Sequence, residues 1–409
     1  MIPPLLRQQL FRRYWIGQTI SLFGDQVTLI ALPLTAVLVL DAGPAQMGYL
    51  VAAELAPNLL FSLHAGAWID RRGHRREAMI ATDLGRAALI ATVPIAYVAD
   101  ALSMEHLYVV AFLAGTLTVV FSVASASLFT TLVRRDEYVE ASSLLYGSRA
   151  FSFVAGPTVG GAIVQVFKAP VALVIDAVSY VVSAAFLASI RPREAGTDEA
   201  EGGHVLAGLS YIRRTPVILA ALCATATINF FNFMFWALFV LFVTRSLGVE
   251  PGALGLLLGA AAVGGLIGAV IAGRVSRRMG IGPAFVFGCV LFPAPLVLVQ
   301  LADGPHRVVL AMLFAAEFLS GLGVMIVDIA AGSIFAAQIP EQLRARVSGA
   351  YGFVNNGIRP LGSLAGGALG TWIGLRPTLW IATLGALLGV LWLLPSPLPR
   401  LKELPEAPE

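Results

Sequence analysis

About twelve apolar stretches, most of them 18–25 residues long, follow one another along the 409-residue chain with hardly a charge inside them. They lie near residues 14–39, 47–69, 78–99, 107–133, 139–166, 171–190, 215–244, 252–274, 282–302, 307–337, 343–371 and 377–394. A helix crosses the hydrocarbon core of a bilayer with about 20 consecutive apolar residues, because each backbone N–H and C=O is then bonded within the segment. Hydrophobic residues make up 58% of the chain and charged residues only 12%. A soluble domain carries roughly 25% charged residues, so this composition does not cover a water-facing surface. The expected fold class is an all-α membrane protein with twelve transmembrane helices.

The positions of the basic residues set the orientation. The termini, together with the loops on their side of the membrane, hold 20 of the 27 Lys and Arg residues. The opposite loops hold Lys168, Arg245, Arg307 and Arg376, and Arg86, Arg149 and Arg359 lie within stretches. Such asymmetry predicts cytoplasmic termini. It also explains the net charge of +3 as a topology signal, which excludes a nucleic-acid partner. Arg7, Arg12 and Arg13 precede the first stretch without a small-residue cleavage site, so that stretch reads as a retained span. Cys223 and Cys289 both fall inside stretches, and no metal-ligand spacing or cofactor motif occurs.

The longest polar segment falls at the midpoint and divides the chain into residues 1–190, a linker at 191–214 and residues 215–409. The linker holds an acidic patch (Glu194, Asp198, Glu199, Glu201) and then HVLAGLSYIRRTP, which suits a short amphipathic helix. The two halves match at an offset of about 206. ASSLLYGSRAFSFVAGPTVGGA begins at Ala141 and VSGAYGFVNNGIRPLGSLAGGA at Val347, so Gly156, Gly160 and Gly161 fall on Gly362, Gly366 and Gly367. Parallel repeats about an axis along the membrane normal are one way secondary transporters are built, with the site near midplane. Two six-helix bundles are therefore expected.

Two local motifs sharpen this. GAWIDRRGHRR, running from Gly66 through Asp70, Arg71, Gly73 and Arg75 to Arg76, joins the second and third stretches. Gly66 permits close helix approach, Gly73 permits a tight turn, and Asp70 suits a helix N-terminus or an arginine partner. In the fifth stretch Gly147 is followed by Gly156-Pro157 and Gly160-Gly161, a pattern that combines a removed backbone donor with close packing. The first motif matches the signature loop of the major facilitator superfamily, and the twelve-span, two-half layout resembles that superfamily over the whole chain. The second is similar to its antiporter motif, with Ser152 where a further glycine is usual. FRRYWIGQTISLFGDQVTLIALPL at the start, DLGRA, GLSYIRRTP and IPEQLRARVSG resemble the macrolide-efflux and siderophore-exporter branch. The resemblance implies that the loop motif forms a cytoplasmic gate latching the two halves. The second-half copy, AGRVSRR, has Ser276 in place of the acid, so such a latch would be one-sided. The fourth stretch lacks the arginine of many drug–proton antiporters, so their coupling scheme does not carry over.

Charges inside the membrane are costly and point to function. Asp25 sits in the middle of the first stretch, with Gln18 and Thr28 on its face. Asn229 and Asn232 occupy the related region of the seventh, and the resemblance implies that both stretches line the cavity. Glu317 and Asp328 in the tenth stretch are eleven residues apart, close to three turns and so on one face. Arg149 and Arg359 correspond within one turn under the repeat and are expected to pair with these acids or to bind an anionic substrate. Asp83 and Arg86, three apart, read as a structural pair. Asp176 and Glu54 are expected near stretch ends within reach of water. The phenylalanine-rich NFFNFMFWALFVLF reads as packing or lipid-facing aromatics.

An enzyme is not expected: the chain lacks a paired-aspartate protease motif, a buried lysine, a His-Glu-any-any-His run and a Walker-type phosphate loop. The expectation is a monomeric secondary transporter of the bacterial cytoplasmic membrane. It would export a small amphiphilic molecule in exchange for protons, with no cofactor and no partner beyond substrate, protons and the lipid bilayer. Proton-coupled uptake of a small metabolite and lipid flipping are the alternatives.

Overall fold

The computed structural model describes residues 3–191 and 205–402, apart from the side chains of 63–68, 70–72, 205 and 206. The acidic patch of the linker therefore lies outside the described residues. The described chain is helical, and ten of its helical segments are long and apolar enough to cross a membrane. The chain divides into two compact units.

Unit 1 comprises Met1–Ala42, Ala53–Gly202 and Glu250–Leu256. Its helices are α1 (Gln9–Leu38), most of α2 (Pro44–Arg72), α3 (Arg75–Val98), α4 (Met104–Leu132), α5 (Tyr138–Phe167) and α6 (Ala169–Ala188). The packing runs from α5 through α1 and α6 to α3 and α4, which places α6 between the helices bearing Asp25 and Arg86. Phe11, Tyr14, Met79, Leu128 and Leu187 form the apolar core towards one end. Beyond that core the interior turns polar, because α1 and α6 meet through small residues. A Cβ on Gly24 would come within 2.0 Å of Ser179 Oγ and 2.3 Å of Asp176 Oδ1.

Unit 2 comprises Gly43–Ala52, Gly203–Val249 and Leu257–Glu409. It holds α7 (Val205–Arg214), α8 (Pro216–Leu241), most of α9 (Pro251–Met279), α10 (Ile281–Leu291), α11 (Val297–Leu301), α12 (His306–Gln338), α13 (Glu341–Ile373) and α14 (Leu375–Leu388). Helix α8 packs on α13 and α14, and α10 packs on α12. The short helix expected in the linker forms as α7. Its Ile212 joins Ile218, Leu222, Ile339 and Val347 in a buried cluster, and Tyr211 donates to the Gln338 carbonyl at 2.8 Å.

The ninth stretch departs from expectation. It is not one helix over 282–302, but breaks after Leu291 into a 3₁₀ turn at Ala294–Leu296 before α11. Pro293 and Pro295 lack the N–H groups a continuous helix needs, and their rings crowd the preceding turn. Elsewhere the helices begin a few residues earlier than hydropathy suggests, as in α1 from Gln9, because polar first turns continue a helix beyond its apolar part.

The 206-residue offset recurs in the backbone. Lys168 ends α5 with φ +67° and Gly374 ends α13 with φ +90°, two chain reversals in the left-handed region at repeat-related positions. Within unit 1 a Cβ on Gly161 would lie 2.8 Å from Gly255 Cα; within unit 2 one on Gly367 would lie 3.0 Å from Gly48 Cα. Each contact brings two helix backbones together at a distance that only the absence of a side chain allows.

Candidate functional site

Helices α1, α3 and α6 bring a dense polar cluster into the interior of unit 1. Tyr180 Oη donates to Asp25 Oδ1 at 2.5 Å. One turn away on α6, Asp176 accepts from the Thr28 hydroxyl and from Ser179 Oγ at 3.1 Å. Arg86 on α3 is ion-paired with Asp83, and its guanidinium carbon lies 4.2 Å from the Tyr180 ring centroid and 4.4 Å from that of Phe121. Asp83, Asp176 and Arg86 are essentially inaccessible to solvent, at 0%, 0% and 2% exposure. Burial of charge on this scale is tolerated only where partners are supplied.

The count of charges decides what the cluster can do. Three carboxylates, Asp25, Asp83 and Asp176, surround one guanidinium. With all three ionised, the cluster would hold two negative charges in excess inside a low-dielectric bundle. Protons bound to carboxyl oxygens are the chemical means available among these side chains for removing that excess. The phenol, the two hydroxyls and the acids supply the donors and acceptors along which such protons would be held.

A cavity of about 340 Å³ adjoins this cluster within unit 1, with Asp25, Gln26, Glu54, Asn58, Phe153 and Tyr180 in its wall. Gly156 makes its edge possible: a Cβ there would sit 2.5 Å from Gln26 Cβ and Cγ. Gly160 packs against Val27, and Gly161 against Gly255. Gly147, the first glycine of the same motif, faces open space, and Pro157 is buried within α5.

Unit 2 holds a second polar row, between α8 and α13. Arg359 Nε donates to Asn229 Oδ1 at 3.0 Å, and Asn229 Nδ2 donates to Asn355 Oδ1 at 3.0 Å. Thr225 and Tyr351 share a hydroxyl–hydroxyl bond of 2.6 Å. The Arg359 guanidinium lies 5.1 Å from the Phe233 ring centroid. Asn232 is half-buried and outside this row. Glu317 is buried at 6% exposure with no hydrogen bond or ion pair among the described residues, whereas Asp328, on the same helix, is exposed.

Several placements differ from the sequence reading. Asp83 and Arg86 do form the expected local pair, but they do so beside Asp25 and Tyr180. Asp176 is fully buried rather than near water, because Gly24 lets α6 close on α1. Arg149 pairs with no acid among the described residues; it is exposed, with its guanidinium 5.7 Å from the Phe153 ring centroid. Arg359 is oriented by the Asn229 amide and also interacts electrostatically with Asp328. In the loop motif, Gly73 takes φ +67°, and Arg76 caps the end of α6 by donating to the Leu187 carbonyl at 3.1 Å. Arg75 is buried, while the side chains of Asp70 and Arg71, and the surroundings of Gly66, lie outside the described residues. Sequence reasoning alone does not single out Tyr180, Gln26 or Asn355. A tyrosine four residues after an intramembrane aspartate is the available signal for the first.

The family model described as transmembrane secretion effector matches residues 2–409. The chain belongs to this family of the major facilitator superfamily. It is 26% identical over 396 residues to the multidrug efflux pump Tap of Mycolicibacterium fortuitum, covering 93% of each chain. It is 27% identical over 403 residues to Tap of Mycobacterium tuberculosis (strain ATCC 25618 / H37Rv), covering 94% of this chain and 92% of the other. It is also 25% identical over 394 residues to the MFS-type transporter YfiS of Bacillus subtilis (strain 168), covering 92% and 90%. Among solved structures, the nucleoside transporter NupG matches with TM-score 0.75 at 12% identity, covering 94% of this chain and 98% of the other. A bacterial homologue of the iron transporter ferroportin matches with TM-score 0.74 at 16% identity, covering 96% and 99%. These two establish the likeness of fold. The protein is thus a multi-pass membrane transporter of the superfamily.

Proposed function

We propose that this transporter exports small amphiphilic molecules from the bacterial cytoplasm in exchange for protons. On this reading its twelve spans form two six-helix bundles (1–190 and 215–409) that alternate access to a central cavity, with both termini cytoplasmic. The observation that supports the coupling is the excess of carboxylates over guanidinium around Arg86, an excess that proton binding would relieve, beside a cavity large enough for part of a substrate. The export direction draws on the relatives named as multidrug efflux pumps and on the antiporter-like motif of α5.

Asp25 is the proposed exchange point, because it alone of the three acids both lines the cavity and bonds to the phenol beside Arg86. Proton loss from Asp25 strengthens its attraction to Arg86, and proton gain weakens it. The cluster thereby has two charge states that differ at the helix contacts, as a coupled carrier requires. Glu317, buried in unit 2 with no partner among the described residues, is a second proposed proton carrier. Arg359, oriented by Asn229, is proposed to face substrate. The loop from Gly66 to Arg76 is the proposed cytoplasmic gate.

Proton release from inverted vesicles under a pH gradient tests this reading, with a panel of fluorescent amphiphiles as substrates. Protein-dependent release on substrate addition is the expected result. Its absence across the panel, with protein verified in the membrane, would remove antiport of amphiphiles.

A further inference from the structure

The coupling scheme leaves one charge of unit 1 unused, Arg149 on α5. It lies 11 residues beyond Tyr138, the first residue of that helix, which is about 16 Å along the axis at 1.5 Å per residue. Arg149 is exposed and has no hydrogen bond or ion pair among the described residues. Its guanidinium carbon lies 5.7 Å from the Phe153 ring centroid. That contact holds the charge beside a residue one turn deeper, instead of leaving it stretched back towards the headgroups, the usual escape of an arginine from hydrocarbon.

The neighbours of α5 show which way this face points. Thr19 on α1 donates to Ser148 Oγ at 3.0 Å. Further along, Gly156 and Gly160 meet Gln26 and Val27 of α1, and Gly161 meets Gly255 of α9. At 3.6 residues per turn, Tyr146, Arg149 and Phe153 fall within about 60° of arc between the α1 and α9 contacts. All three are exposed, and Phe153 also stands in the wall of the unit 1 cavity. The stripe therefore lies on the cavity side of α5, away from lipid. At the 206-residue offset the position of Arg149 is held by Asn355, which is bonded to Asn229. The nearby Arg359 is oriented by Asn229 as well, whereas Arg149 keeps its N–H donors unspent among the described residues.

We propose that this stripe binds the oxyanion head of an amphiphile, a carboxylate or a phosphate, at Arg149, with the apolar body on the rings of Phe153 and Tyr146. The inference rests on the export reading and narrows its substrate class. A planar guanidinium offers paired donors that match two oxygens of either group. An ammonium would meet like charge there, and an uncharged body would find the rings but leave the guanidinium unmatched. Arg149 itself is outside the lining that holds Asp25 and Glu54, so the oxyanion is held apart from those acids, with Phe153 common to both sites.

Binding to the full-length protein in phosphatidylcholine nanodiscs tests the proposal, with empty nanodiscs of the same composition as background. The probes are pyrenebutyrate, an aromatic carboxylate that is ionised at neutral pH, and its uncharged methyl ester. The wild type is expected to bind the carboxylate about tenfold more tightly than the ester, the scale of one charge-assisted hydrogen bond. Arg149→Gln is expected to bring that preference to about unity, Arg149→Lys to retain part of it, and Phe153→Leu to weaken both probes alike. Equal affinities in the wild type, or a preference that survives Arg149→Gln, would overturn the site. Nanodiscs containing phosphatidylglycerol separate the two sources of the oxyanion. An unchanged preference assigns the site to an exported acid, and a preference lost to competition assigns it to lipid phosphate. Because this measures binding, it fails independently of coupling. Carboxylate preference in a protein that releases no protons would support the site and contradict antiport, and proton release without carboxylate preference would do the reverse.

Discussion

Three aspartates, Asp25, Asp83 and Asp176, share one arginine, Arg86, so the charge state of each bears on the others. Asp25→Asn is expected to abolish proton-driven efflux while leaving the protein folded, because the amide still accepts from Tyr180 but carries no exchangeable charge. Monodisperse elution together with the loss of substrate-induced proton release is the readout. Arg86→Met removes the cation from a site with three acids and should cost about 3–5 kcal/mol, the range for breaking a buried pair. Adding Asp83→Asn should restore part of that loss, since the pair is then removed from both sides. Thermal unfolding in detergent of the two single variants and the double variant measures this coupling. Gly24→Ala places a methyl against Ser179 and Asp176 and should destabilise by about 1–3 kcal/mol through overpacking, with efflux reduced as α6 is pushed from α1. At this scale, Asp25 was legible because an acid in mid-stretch has few structural excuses. Its partners were not. Tyr180 in an apolar helix looks like any interfacial aromatic, and the burial of Asp176 depends on a glycine in another helix. Arg86 read as a local partner of Asp83 because spacing along one helix says nothing of the aromatic faces supplied by α4 and α6.

Helices were the most legible part of the molecule, since hydropathy over some twenty residues is a strong signal and lipid admits few other backbone solutions. The exception is instructive: Pro293 and Pro295 break a stretch of unbroken apolar character, and hydropathy is blind to a missing backbone donor. Helix contacts were legible only through glycine. The motif glycines Gly156, Gly160 and Gly161 each meet a different neighbour, Gln26, Val27 and Gly255 respectively, so one sequence pattern serves three contacts. Gly161→Leu is expected to prevent the α5–α9 approach, because a side chain would enter a gap in which even a Cβ lies 2.6 Å from the Pro251 carbonyl oxygen. Gly147→Leu meets open space and is expected to leave thermal stability within about 0.5 kcal/mol, as at other uncrowded positions. Comparing the unfolding temperatures of the two variants separates packing glycines from a bystander in the same motif.

For the whole molecule, the distribution of lysine and arginine carries a prediction of orientation that helix packing does not address. In a variant with Cys223 and Cys289 replaced, a cysteine at Asp303 should react with a membrane-impermeant maleimide in intact cells. One at Lys402 should react only in inverted vesicles. Fold and family were legible because they depend on patterns spread over hundreds of residues. The substrate was not, since the cavity wall draws on α1, α2, α3, α4, α5 and α6 at positions no linear motif records. The proposed proton exchange at the Asp25 cluster is tested most directly by proton release from inverted vesicles by the wild type and by Asp25→Asn. Substrate-dependent release by the wild type, absent in the variant at equal protein level, is the predicted result. Retained proton-coupled efflux in Asp25→Asn would contradict it.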